Sequence, residues 1–392
     1  MTATITWARA GARRAERQFL RTRAAEGTPV ADVARAMLGV HAQVLSAAEI
    51  SLGVRMAGVT RRTVRDALWT DGTLVKTFGP RGTLHLLPTA ELPFWSAALP
   101  EIPPKASFAS GVRMSPEETE EVVAAIGDAL DGARLTVDEL HDEVVARTGA
   151  WAGDLVMPAF QGMWPRWRQV MHLAGQRGAL CFAPDRGRKA TYTRPPHHEP
   201  MPRDEAVAAY VRRYLYAYGP ATAHDFARWA AAPQGWTVKL FGTLAAVGAI
   251  EPVPFEPVSD GATAWVAADD TEFPDDPGDA VGGVPGVRLL PYFDAYGIAS
   301  HPRARLFPGR AFARALAGGQ AGNFPLLLVD GEVAGVWHQR RRGRRTTVTV
   351  EPLGRLTAAH TRELTAEVAR VGEVLEAEPE LVVGEVTVGA HA

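Results

Sequence analysis

The stretch Leu38-Gly39-Val40-His41-Ala42-Gln43-Val44-Leu45 separates two helix signals, and its reading decides how the N-terminal part of the chain is organised. Before it, Thr28 can cap a helix and Pro29 suits a first helical position. Val30, Val33, Ala34, Met37 and Leu38 fall on one face, so a helix is predicted over 28–38 with Gly39 as its stop. After it, Ser46-Ala47-Ala48-Glu49 has the capping-box pattern and leads into apolar Ile50, Leu52, Val54 and Met56. Residues 40–45 are therefore expected to be extended or turned. In a helix, residues two apart point roughly 200° apart, whereas in extended backbone they share a face. His41 and Gln43 can converge on one small target only in the extended form. A bare H-x-Q also fits two ordinary loop residues that bond nearby backbone.

Working outward, residues 7–25 read as an amphipathic helix with Ala10, Ala15, Phe19 and Leu20 inward and the arginines outward. A helix over 63–69 ends at Asp71-Gly72, and strands over 74–78 and 83–87 are joined through Gly79-Pro80-Arg81-Gly82. Helices followed by a hairpin make a winged helix, with Arg81 at the tip of the wing or beside it; a solvated turn residue is the plainer reading. A second such unit opens at Ser115-Pro116-Glu117-Glu118, a strong helix start. Helix 137–147 follows, then a helical stretch whose aromatics Phe160, Trp164 and Trp167 read as core. Strands over 179–183 and 190–193 flank the basic tip Asp185-Arg186-Gly187-Arg188-Lys189. A third unit has helix 203–217, a short helix capped by Thr222, helix 234–247 and strands at 250–253 and 264–267. Residues 269–286, rich in Asp, Pro and Gly, read as a mobile acidic loop.

Beyond 286 the pattern turns to strands, at 287–291, 326–329, 333–339 and 346–351, with Asp330-Gly331 marking a tight hairpin and a helix over 357–377. The last two strands carry Arg340-Arg341-Arg342-Gly343-Arg344-Arg345 at their tip, a run that is either a solvated charge cluster or a phosphate contact.

Composition bounds the rest. The 392 residues suffice for two to four domains, and 46% apolar and 22% charged residues are those of a folded soluble protein. No apolar run reaches membrane-span length, and the N-terminus has no signal core, so a cytoplasmic protein is expected. The single cysteine, Cys181, excludes a disulfide framework and a thiolate zinc cluster; His197-His198 has no motif around it that would make a metal site. Net charge is −2, yet only Lys76, Lys105, Lys189 and Lys239 of the 42 basic residues are lysines. The arginines cluster near 340 and the acids at Asp269-Asp270 and Asp275-Asp276, as a protein with one DNA-facing side would have them.

The chain resembles the bacterial DNA glycosylases of the AlkZ and YcaQ kind, the winged helix DNA-binding domain-containing family. The carriers are Gly39-Val40-His41-Ala42-Gln43, Arg81-Gly82-Thr83-Leu84-His85-Leu86, Phe226-Ala227-Arg228-Trp229, Leu289-Leu290-Pro291-Tyr292-Phe293-Asp294 and Val329-Asp330-Gly331-Glu332-Val333-Ala334-Gly335-Val336-Trp337. The family signature is Q-x-Q or Q-x-D; here His41 stands where the first Gln is usual, and Gln43 is kept.

The resemblance implies an α+β fold of three tandem winged-helix units around a DNA-binding concavity, with a small C-terminal β-barrel. The units divide at 1–110, 111–200 and 201–268, with the barrel, its basic hairpin and the last helix in 285–392. It further implies catalysis by His41 and Gln43. Arg81, Arg186, Arg188, Lys189, Arg340, Arg341, Arg342, Arg344 and Arg345 are the DNA contacts, with His85 and Asp294 supporting the site. The expected activity is monofunctional hydrolysis of the N-glycosidic bond of alkylated purines, bulky N7-guanine or N3-adenine adducts, in double-stranded DNA. No lysine lies beside the motif to form a Schiff base, and no metal or cofactor is implied. An arginine-rich, GC-style composition fits an actinomycete-like source and a role in self-resistance to a DNA-alkylating product. Monomer is the default. A winged-helix regulator without catalysis, or an α+β protein whose arginines are compositional, are the competing readings.

Overall fold

The computed structural model describes residues 4–104, 108–109, 111–159, 162–258, 261–275, 278 and 282–390. The decisive stretch is bounded by α2 and α3, preceded by α1 (Trp7–Arg17). Helix α2 (Val30–Ala36) starts from Pro29 as its cap rather than from Thr28, and ends in two left-handed residues, Leu38 at φ 57° and Gly39 at φ 90°. A Cβ on Gly39 would lie 2.8 Å from Leu87 Cδ2, so both its conformation and its surroundings require glycine. The chain then runs extended through β1 (Val40–His41) into α3 (Leu45–Gly53).

The expected capping box at Ser46 does not form. Helix α3 begins one residue earlier, capped by Val44 without a side-chain bond, because Glu49 is fully buried and drawn to Arg65 at 2.6 Å and Arg61 at 3.6 Å. Those arginines are the first and the middle residue of α4 (Arg61–Trp69). Strands β2 (Leu74–Phe78) and β3 (Leu84–Pro88) follow, then α5 (Leu92–Ala98). The three strands form a sheet of order β1-β3-β2.

Downstream, α6 (Pro116–Ala129) carries the expected Ser115–Glu118 box, and β4 (Leu135–Thr136) leads into α7 (Val137–Thr148). The helix expected around Trp164 is instead a hairpin, β5 (Leu155–Ala159) and β6 (Gly162–Pro165), before α8 (Met171–Gln176). Pro158, Gly162 at φ 102° and Pro165 interrupt any helical run there. Trp164 is accordingly exposed rather than core, Trp167 is fully buried as expected, and Phe160 lies outside the described residues. Strands β7 (Cys181–Arg186) and β8 (Lys189–Thr193) complete a β4-β8-β7 sheet. Next come α9 (Arg203–Tyr218), α10 (Ala223–Ala230) with its Thr222–Asp225 capping box, α11 (Gln234–Ala246), and the antiparallel pair β9 (Ile250–Val253) and β10 (Ala264–Ala267).

The last part holds β11 (Val287–Leu290), three short helices α12 (Ala295–Ala299), α13 (Arg303–Leu306) and α14 (Arg310–Arg314), then β12 (Leu326–Val329), β13 (Glu332–Arg342) and β14 (Arg345–Pro352). The Asp330-Gly331 turn forms as read, both residues having positive φ. Helix α15 (Ala358–Leu375) is followed by an unforeseen strand, β15 (Glu378–Val383), which pairs parallel with β14.

The sheet order is β11-β12-β13-β14-β15, a curled half-barrel, so the expected closed barrel is corrected. Its edges do not meet because α15 packs on the sheet between them, and Glu363 of that helix takes the Val287 N–H at 2.9 Å. The core under this sheet also contains Ile5, Trp7, Ala10 and Ala15, so α1 packs with the C-terminal sheet although it lies first in the chain. Helix α1 stops at Arg17, short of the expected 25, where Phe19 turns left-handed.

Two arginines expected outward on α1 are buried. Arg14 donates to the carbonyls of Gly219 and Pro220, and Arg13 to that of Asp270. Asp270 also takes a two-pronged ion pair from Arg17, so the described start of the acidic loop is pinned to α1; Asp276 lies outside the described residues. No helix among the described residues is long and apolar enough to cross a membrane.

Candidate active site

His41 owes its position to β1 pairing with β3, which sets it opposite His85 in the ladder. The two rings meet edge to face at 5.1 Å, and the other side of the His41 ring stacks on Phe293 at 4.6 Å and 23°. His85 is buried and its Nδ1 lies 2.9 Å from the Thr83 carbonyl oxygen; since a carbonyl only accepts, Nδ1 carries the proton. Burial, and after it the charges of His41 and Arg81, hold the His85 pKa well below 6.5, so this ring stays neutral. Gly79 leaves the space it needs: a Cβ there would come within 2.8 Å of the His85 ring.

The Gln43 N–H points at His41 Nδ1 from 3.5 Å, the outer limit of a hydrogen bond. The Gln43 side chain itself is exposed and is not part of the cleft wall that His41 lines.

Phe293 is held in the left-handed region, φ 57°, by what comes next. Asp294 caps α12 and accepts two bonds of 2.8 Å from Arg55 and one of 2.6 Å from Ser51, all buried. Ser51 belongs to α3 and Arg55 follows it, so Asp294 ties the helix after His41–Gln43 to the neighbour of Phe293, the residue stacked on His41. From the far side, Arg370 of α15 donates to the carbonyls of Gly53, Met56 and Val59, satisfying the C-terminal end of α3. Tyr218 of α9 bonds the Met37 carbonyl at 2.5 Å, fixing the approach to β1. Asp294 is thus a structural anchor of the site and does not face the cleft.

The cleft has a volume of about 580 Å3 and brings together His41, Arg81, Thr83, Arg228, Trp229, Phe293, His301, Arg303 and the loop 319–323. Arg81 is not the solvated wing tip expected of it. Its backbone is left-handed at φ 64°, and its guanidinium turns inward to the Trp229 carbonyl at 2.9 Å. Burial lowers its pKa, and likewise brings Arg303 down to about 10. Arg228 stands exposed at the rim.

Four of the five stretches that carry the resemblance therefore converge on one cleft. Phe293, Arg228 and Trp229 lay inside them but had no assigned role. His301 and Arg303 were missed altogether, because His301 lies in the bend between α12 and α13 and Arg303 opens the four-residue α13, neither with a periodic signal.

The basic tips divide into two kinds. On the second sheet, Arg186 is bound to Glu139 at 2.7 Å and to the Arg134 carbonyl, and Lys189 to Asp138 at 2.7 Å, while Arg188 is exposed. On the β13–β14 hairpin, Arg341 bonds the Gly343 and Leu375 carbonyls and Arg345 lies 3.6 Å from Glu378. Arg340, Arg342 and Arg344 have no ion pair among the described residues. With His338, Thr347 and Thr349, Arg340 and Arg342 line a second groove, of about 600 Å3. The Tyr292 hydroxyl, 3.4 Å from His338 Nδ1, connects that groove to Phe293 and the cleft.

This arrangement suits a polyanion. A family model described as DNA glycosylase AlkZ-like matches residues 34–374. The chain is 33% identical over 351 residues to an interstrand DNA cross-link repair glycosylase of Streptomyces sahachiroi, covering 85% of this chain and 87% of the relative. The solved Streptomyces sahachiroi DNA glycosylase AlkZ shares the fold with a TM-score of 0.74 at 27% identity, covering 97% of this chain and 100% of that one. A regulator without catalysis and a merely arginine-rich protein are both set aside by this match. A cleft built from the very stretches that carry the similarity, together with a family match over most of its length, places the chain in the AlkZ-like family of DNA repair glycosylases.

Proposed function

We propose that the protein is a monofunctional glycosylase for alkylated purines in duplex DNA, and that His41, with Gln43 beside it outside the cleft wall, handles the attacking water. The observation that carries this is His41, clamped between Phe293 and neutral His85 at the wall of a cationic cleft.

An N7- or N3-alkylated purine is already cationic. When the bond from C1′ to the base nitrogen breaks, the electron pair neutralises the base and leaves an oxocarbenium-like sugar. Water then forms the C1′–O bond and loses a proton. Little base strength is needed, so a positioned neutral imidazole and an amide suffice. Protonated His41 would repel the sugar cation, so activity falls on acidification. No lysine among the described residues lines the cleft, which favours hydrolysis over a Schiff-base lyase.

In this reading the β1-β3-β2, β4-β8-β7 and β9–β10 units, with their helices, are three winged helices spanning 1–110, 111–200 and 201–268. Together with the hairpin in 285–392 they face one duplex, bound by a monomer. The relative's name points to cross-linked DNA, and bulky N7-guanine or N3-adenine adducts, including those of a self-made alkylating product, are the proposed substrates.

The test is a duplex with one N7-alkylguanine, incubated with wild type, His41→Ala and Gln43→Ala, and read by alkaline cleavage at abasic sites. Scission that disappears in both variants supports the assignment. Scission that survives in both moves the chemistry elsewhere in the cleft. A wild-type rate that is flat from about pH 5 to 8 discards the neutral-imidazole role.

A further inference from the structure

The cleft beside His41 contains more cations than the protein neutralises. Arg81 is held by the Trp229 carbonyl, and Arg303 by the carbonyls of Gly297, Ile298 and Ser300. Carbonyl dipoles keep a guanidinium in place without cancelling its charge. Arg228 adds a third cation at the rim. No Asp or Glu lines the cleft among the described residues. Asp294 is consumed by Arg55, and Asp225, which acts on both Arg303 and His301, is one carboxylate against three guanidiniums. The nearest Asp225 oxygen is 4.0 Å from His301 Nδ1, a buried nitrogen of the cleft that has no hydrogen-bond partner. Half-buried positive charge in excess of its counter-ions is costly, and a ligand of the opposite sign offsets that cost. The reaction sharpens the need, since an oxocarbenium sugar in the same cleft would be repelled by three guanidiniums.

One ligand resolves both problems. We propose that the cleft binds a backbone phosphate of the damaged strand, the one on the sugar whose glycosidic bond is cut, through Arg81, Arg228 and Arg303. This phosphate, and no carboxylate of the protein, is the anion that offsets the charge growing on that sugar. The catalytic half of the statement rests on the glycosylase reading; the phosphate site does not. The volume of about 580 Å3 leaves room for the sugar beside the phosphate.

The test uses the full chain and duplexes carrying a stable abasic analogue, in which single phosphates around the analogue are replaced by uncharged methylphosphonate. Arg228→Gln is the main variant because Arg228 is exposed and its loss threatens folding least; Arg81→Gln is the second. At one position next to the analogue, methylphosphonate should weaken wild-type binding about tenfold, as losing a charged hydrogen bond does. Arg228→Gln should cost a similar factor on normal DNA, and the two together no more than either alone. The slope of log K against log salt should fall by about 0.9 in each case. Effects that simply multiply at every position, or an Arg228→Gln salt slope equal to wild type, overturn the phosphate site. On a cleavable duplex, the same methylphosphonate should slow single-turnover cleavage by about tenfold beyond its effect on binding. The two ideas fail separately: coupling in binding with no abasic product from wild type sinks the glycosylase reading alone. Cleavage without coupling sinks the phosphate site alone.

Discussion

The cleft and the β13–β14 hairpin are both arginine-rich, yet they hold their arginines in opposite ways. In the cleft, Arg81 and Arg303 are half-buried, aimed by backbone carbonyls and fixed before any ligand arrives. On the hairpin, Arg340 and Arg342 at the end of β13 and Arg344 in the two-residue turn with Gly343 at φ 60° are exposed and open to counter-ions. Fixed, desolvated charge acts on one group at one distance and serves chemistry and register. Exposed charge acts by counter-ion release and serves affinity for any duplex. The difference predicts which substitutions change rate and which change only binding.

The largest effect belongs to the cleft. His41→Ala should lower the single-turnover rate on an N7-alkylguanine duplex by roughly 10²-fold or more, with the dissociation constant nearly unchanged. A variant that loses binding instead of rate would erase the distinction. Close behind comes the anchor beneath it. Asp294→Asn leaves Arg55 buried without its anion and should destabilise the fold by about 3–5 kcal/mol, seen as a lower denaturant midpoint. An unchanged midpoint would mean that α3 and Phe293 are positioned by other contacts.

On the hairpin, Arg340→Ala with Arg342→Ala should weaken duplex binding by about tenfold and reduce the salt slope by about 2, while the rate at saturating enzyme holds. If the rate falls as well, the groove takes part in the chemistry and the two regions are one site. Arg186→Ala and Lys189→Ala should alter DNA affinity by less than about twofold, because Glu139 and Asp138 already neutralise these side chains. The smallest effect is in stability against pH. His85 is neutral in the fold with its pKa depressed, so the unfolded chain binds the extra proton first. Stability is complete above the unfolded value near 6.5 and declines as pH falls toward the folded value. His85→Asn keeps a donor for the Thr83 carbonyl and should flatten the fall in melting temperature on acidification.

Local signals were legible wherever short-range physics decides. The Ser115–Glu118 and Thr222–Asp225 boxes, the strands Ile250–Val253 and Ala264–Ala267, and the Asp330-Gly331 turn formed where the residues placed them. The failures share a cause, which is that a distant partner competed for the same group. Glu49 left the capping box for Arg61 and Arg65, and Arg13 and Arg14 went inward to acceptors more than 200 residues away. The open edge of the C-terminal sheet depends on where α15 lands, and no local pattern in 357–377 encodes that.

From the sequence alone, His41 and Gln43 could be put on one extended segment between two helices, because backbone periodicity and helix stops are local properties. The resemblance supplied the reaction. Only the tertiary structure decided that Arg81, Arg228, Phe293, His301 and Arg303 meet His41 in one cleft, and that Gln43 stands outside its wall. That assembly is set by packing between segments far apart in the chain and by which buried charges find partners, and pairwise distances of this kind are not written in the order of the residues.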